Sequence, residues 1–181
     1  MSITAVMRAL LIPVFVSSVM GFAHAQDQTP AVPENCTKME SKVLPASVCL
    51  DPEGWALADV GSSAELEFST LDQALYLIIM TEPDYFDIET LRKAVLTNIQ
   101  LAAKLNKVEV VESENVSLAG REFGHLIYGA RIGDIDANYN NYFTGIEGEG
   151  SLQVVFFTFD RPISDYNDTI ATVVASIEVG E

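Results

Sequence analysis

Four oxygen donors stand at alternate positions in Asp134-x-Asp136-x-Asn138-x-Asn140. Such a run suits a hard cation, and its first positions resemble the calcium loop of an EF-hand. The match then stops, because Tyr139 occupies the place of the required glycine and Gly145 that of the bidentate glutamate. Glu147 and Glu149 do not replace it, since a strand of about ten residues at roughly 3.3 Å each holds them at its far end. A polar turn feeding a solvated strand face is the plainer reading, with a weak surface calcium site as the alternative. Tyr85 and Phe86, set among Glu82, Asp84 and Asp87, form a second candidate. Aromatic rings beside carboxylates suit a basic protein partner, whereas the ordinary alternative tucks one ring beneath the next helix.

Nucleophilic chemistry finds no set of residues. The two histidines are His24 and His125, and His125 falls mid-strand between Gly124 and Leu126. A triad needs a nucleophile, a base and an orienting carboxylate, and no Gly-x-Ser-x-Gly elbow accompanies His125. A histidine hydrogen-bonded within the sheet is the reading preferred over a catalytic base. One imidazole and two cysteines do not make the usual zinc set, and no glycine-rich phosphate loop is present. The expectation is therefore no enzyme, no metal and no cofactor.

Cys36 and Cys49 are the two cysteines. In an oxidising compartment they are expected to pair as a staple for the N-terminal segment; a redox-active pair would favour Cys-x-x-Cys spacing. Residues 1–25 read as a signal peptide, with Arg8, the apolar stretch Ala9 to Ala23, and Ala23-His24-Ala25 before a cleavage at Gln26. Residues 26–35, with Pro30 and Pro33, read as a flexible leader, and 36–181 as one domain. The expected location is periplasmic or secreted, with no membrane anchor after cleavage. The chain carries ten Lys and Arg against 26 Asp and Glu, a net charge of −16, and loss of Arg8 makes it −17. That balance argues against nucleic acid and anionic lipid as partners and is compatible with a basic protein or a cation.

The elements that must position these residues follow from periodicity. Short strands are expected at Pro52 to Asp59, Ala64 to Thr70 and Ala74 to Met80, the second with Glu65 and Glu67 on a wet face, the third apolar on both faces. Asp87 caps a helix from Ile88 to Leu105, with Leu91, Val95 and Ile99 on its buried stripe and Arg92, Lys93 and Lys104 solvated. Four strands follow, Val108 to Leu118, Glu122 to Ile132, Ala137 to Ile146 and Ser151 to Asp160, joined by turns too short for parallel crossovers. A second helix runs from Ile163 to Val179. Doubly apolar strands require cover on both faces, so the expected architecture is α+β, a mainly antiparallel sheet with a helix packed on each face.

Three segments in this order resemble the PsbP-like family: Pro52-Glu53-Gly54-Trp55, Gly120-Arg121-Glu122-Phe123 through Tyr128, and Leu152-Gln153-Val154-Val155-Phe156-Phe157-Thr158. That family shares its α/β/α sandwich with a Ran-binding import factor of the Mog type. The resemblance implies an accessory or binding protein of the exported bacterial branch, and it carries over no catalytic residue. The leading expectation is a non-enzymatic protein acting through protein contacts, including an inhibitor or immunity protein for a basic partner. The alternative is a small-ligand or calcium carrier using the Asp134 turn.

Overall fold

Two-residue turns set the register of the larger sheet. The computed structural model describes Val32 and residues 34–104 and 107–180; the expected signal peptide and most of the leader lie outside them. Ala119 and Gly120 both take positive φ, 50° and 76°, which gives the turn the twist that antiparallel strands need. They join β6 (Val108–Leu118) to β7 (Arg121–Ile132). Gly133 and Asp134 join β7 to β8 (Ile135–Ile146), so Ile135 and Asp136 are already strand rather than turn. Glu147 to Glu149 lead into β9 (Gly150–Phe159).

Before these come β1 (Thr37–Glu40), β2 (Ala46–Leu50), β3 (Trp55–Leu57), β4 (Leu66–Thr70), β5 (Tyr76–Glu82) and α1 (Ile88–Ala102); after them come α2 (Asn167–Ala175) and β10 (Glu178–Val179). The seven-stranded sheet runs β3-β4-β5-β9-β8-β7-β6, and every registered pairing is antiparallel. Alternation along the central strands divides the core in two. Leu126, Tyr128 and Phe143 face α1 with Leu91, Val95 and Ile99. Phe123, Leu77, Val154 and Phe156 face α2 with Ile170, Val173 and Val174.

The fold departs from the sequence expectation in three places. A second sheet, β1-β2-β10, shares the α2 face, and Leu44, Val48 and Leu50 bring it into the core. The Cys36–Cys49 disulfide, Cα to Cα 5.4 Å, therefore staples the β1–β2 hairpin. The second helix does not reach Val179. It begins as a 3-10 turn at Ile163–Tyr166 and stops at Ala175, where Ser176 Oγ accepts from Cys49 N at 2.9 Å and donates to Val173 O at 2.6 Å. The chain then pairs with β2, and Gly180 N donates to Pro45 O at 2.6 Å. Finally, α1 packs on β7 and β8, so Tyr76, Ile78 and Met80 of β5 stay only half-buried.

Candidate functional site

Tyr85 and Phe86 enter α1 from the end of β5, and both residues stay about half exposed, at 51% and 40%. Their backbone is nonetheless fixed. Phe86 N donates to Ser151 Oγ at 2.9 Å, and Ser151 Oγ donates to Asp84 O at 2.8 Å. Ser151 is 1% exposed, so this clamp belongs to the core. Gly145 makes room for it, since a Cβ there would lie 2.2 Å from Phe86 O and 2.6 Å from the Tyr85 ring. Asp87 caps α1 by accepting from Thr90 N at 2.6 Å, a bond that lowers its carboxyl below the ordinary range. A groove of about 460 Å³ opens beside Tyr85, lined by Asp87, Glu89, Glu122, Arg121 and Asn115. Tyr85 thus stands beside three carboxylates, with Arg121 on the same wall; aromatic rings next to carboxylates are an arrangement that suits cationic side chains.

The four residues of the Asp134 run do not converge. Asp136 pairs with Arg131 at 3.2 Å, Asn138 Nδ2 donates to Arg161 O at 2.8 Å, and Asn140 Oδ1 lies 2.9 Å from His125 Nε2. Asp134 meets Arg131 through its backbone oxygen at 3.5 Å. Asp136 and Asn140 stand about 13 Å apart along β8 at the usual rise.

His125 is 7% exposed and hydrogen-bonded across the sheet, as expected for it. Its ring stacks on Tyr142, centroids 4.4 Å apart and planes within 10°. Its Nδ1 lies 3.4 Å from Glu114 Oε1, and Glu112 projects from the same face of β6. Burial, above all, lifts the Tyr142 phenol to about 12, with Asn140 opposing and Glu112 and Glu114 adding to the rise. Sequence patterning does not single out Glu112 and Glu114, although counting outward from the Ala119-Gly120 turn places Glu114 opposite His125.

Arg92 is also misplaced by helical periodicity alone. Its side chain is 13% exposed rather than solvated. The guanidinium donates to Ser113 Oγ at 2.9 Å, Glu114 O at 3.1 Å, His125 O at 3.4 Å and Asn115 Oδ1, and lies 5.4 Å from the Phe143 ring centre.

No protein-family model matches the chain, and no curated protein matches its sequence. Solved structures do match its fold. The cyanobacterial PsbP protein CyanoP of Synechocystis sp. PCC 6803 superposes with a TM-score of 0.57 at 14% identity, over 80% of this chain and 92% of that one. This is a PsbP-like fold. A Bacteroides thetaiotaomicron VPI-5482 structure follows at a TM-score of 0.50 and 12% identity, over 80% of this chain and 48% of that one. At such identities the PsbP-like likeness concerns architecture, and function has to be argued from the site.

Proposed function

We propose that this PsbP-like chain is an exported, non-enzymatic accessory protein that holds a basic segment of another protein at the Tyr85–Phe86 edge. The observation that carries the reading is the Ser151 clamp, which fixes the backbone from which the two exposed aromatic side chains project. A backbone already ordered loses little entropy on binding, and aromatic anchors dominate contact energies. The net charge of −16 supplies long-range attraction for a cationic partner. An oxidising compartment is supported by the Cys36–Cys49 bond. The carrier alternative loses its support, because the oxygen donors of the Asp134 run are engaged in separate contacts.

A photo-crosslinking residue placed at Phe86 tests this in extract from the producing cells. The expected product is a defined adduct whose contact peptide is rich in Lys or Arg. The same probe at Leu57, exposed at 76%, is expected to give none. Equal labelling from both positions, or no adduct from Phe86, overturns the proposal.

A further inference from the structure

The face of β6, β7 and β8 turned away from α1 brings together the side chains of Glu112, Glu114 and His125, whose ligand atoms all lie within 4.8 Å of one another. We propose that these three side chains bind a divalent transition-metal ion, through His125 Nδ1 and one oxygen of each carboxylate. The site is separate from the Tyr85 groove, and its chemistry does not depend on the function proposed for that groove.

The tautomer of His125 follows from its neighbours. His125 Nε2 lies 2.9 Å from Asn140 Oδ1, which is an acceptor. Nε2 therefore carries the ring proton, and the Nδ1 of a neutral ring presents a lone pair. That lone pair faces Glu114 Oε1 at 3.4 Å. Two lone pairs in such contact call for a positive centre between them. A second ring proton would serve Glu114 alone, whereas a metal ion also draws in Glu112. Metal-ligating histidines commonly donate their other N–H to an oxygen acceptor, which sets tautomer and ring orientation together. Asn140 stands in that position.

The imidazole side of the site is rigid. The ring is nine-tenths buried and stacked on Tyr142, so its nitrogen is aimed before any ligand arrives. Arg92 holds the carbonyls of both Glu114 and His125 from the opposite side of the sheet. The carboxylates, by contrast, are exposed and can swing to close the coordination shell. They are two like charges on one sheet face, repelling until a dication neutralises them.

The donor set selects the metal. One imidazole nitrogen and two carboxylate oxygens suit zinc or a neighbouring first-row ion, whereas calcium takes oxygen donors throughout. The exposed side leaves the remaining positions open to water or to a donor from another molecule.

Calorimetric titration with zinc chloride, in a buffer that does not chelate, tests the site in a full chain carrying His24→Gln. That change leaves His125 as the sole imidazole. One equivalent of zinc is expected to bind, and E112Q and E114Q are each expected to weaken it by about tenfold or more. E147Q/E149Q, in the far hairpin, is expected to leave the affinity unchanged. Copper(II) added in place of zinc is expected to show coupling to one imidazole by pulsed electron paramagnetic resonance. Because H125Q disturbs a buried position, the exposed glutamates and the copper spectrum are the deciding readouts. Absence of binding, zinc affinity unchanged in E114Q, or a copper spectrum without imidazole nitrogen overturns the assignment and leaves a plain His125–Glu114 hydrogen bond.

Discussion

Arg92 shows how one side chain ties a helix to the strands beneath it. Its donors reach Ser113, Glu114, Asn115 and His125 while its plane lies near Phe143. Hydrogen bonds from a charged donor contribute about 1.5–3 kcal/mol each at most, and orphaned acceptors raise the cost of removal. Arg92→Ala is expected to lower unfolding stability by roughly 2–3 kcal/mol in urea titrations, and exposed Lys93→Ala by less than about 0.5 kcal/mol. Arg92→Lys is not expected to restore the loss, because an ammonium cannot span the same fork of acceptors. Equal effects of the Arg92 and Lys93 substitutions would refute the clamp. Ser151 plays the corresponding part at the Tyr85–Phe86 edge. Ser151→Ala strands Phe86 N–H and Asp84 C=O, and is expected to cost about 1–3 kcal/mol and to free the Tyr85–Phe86 backbone in hydrogen exchange. Neither role was legible from sequence, since a helix wheel gives a residue's bearing and not the reach of its side chain.

At the scale of elements, strands β6 to β9 were legible almost to their ends, because tight turns and period-two alternation agree there. The start of α1 was legible through Asp87. The end of α2 was not: Val173, Val174 and Ile177 continue the helical stripe, while contacts from Ser176 to Cys49 stop the helix. The small sheet was hidden for the same reason, as β10 has two residues and exists only against β2. Alternation puts Glu65 on a wet face just before β4, yet its carboxylate binds the loop after β1. Burial opposes its ionisation, but bonds from Lys42 N, Ser41 Oγ and Thr81 Oγ1 together hold its carboxyl below the ordinary range. A lowered folded-state value means stability that is complete above the unfolded value near 4.5 and is lost as pH falls through and below it. Glu65→Gln is therefore expected to flatten the acid limb of a stability-against-pH curve measured by denaturant titration; an unchanged limb would contradict this. Reduction of the Cys36–Cys49 bond is expected to cost about 2–4 kcal/mol, read as a fall in melting temperature with reductant. An unchanged melting temperature would show that the hairpin holds without its staple.

For the whole molecule, the α+β layers and both apolar faces followed from the sequence, and the PsbP-like fold agrees with them. The geometry behind the proposed binding edge was legible only in part. Tyr85 and Phe86 could be picked out by composition, but the Ser151 clamp and the room left by Gly145 depend on strands distant in sequence. Charge alone would attract a basic partner anywhere on an acidic surface, so the central claim is one of location. The most direct measurement is a titration of the isotope-labelled protein with a Lys- and Arg-containing peptide, followed by amide chemical shifts at about 50 mM and about 500 mM salt. The expected result is a set of shifts confined to Tyr85, Phe86, Asn115, Arg121 and Gly145, weakened by salt and abolished in Tyr85→Ala/Phe86→Ala. Shifts scattered over the acidic surface, with affinity unchanged in that double variant, would contradict the account.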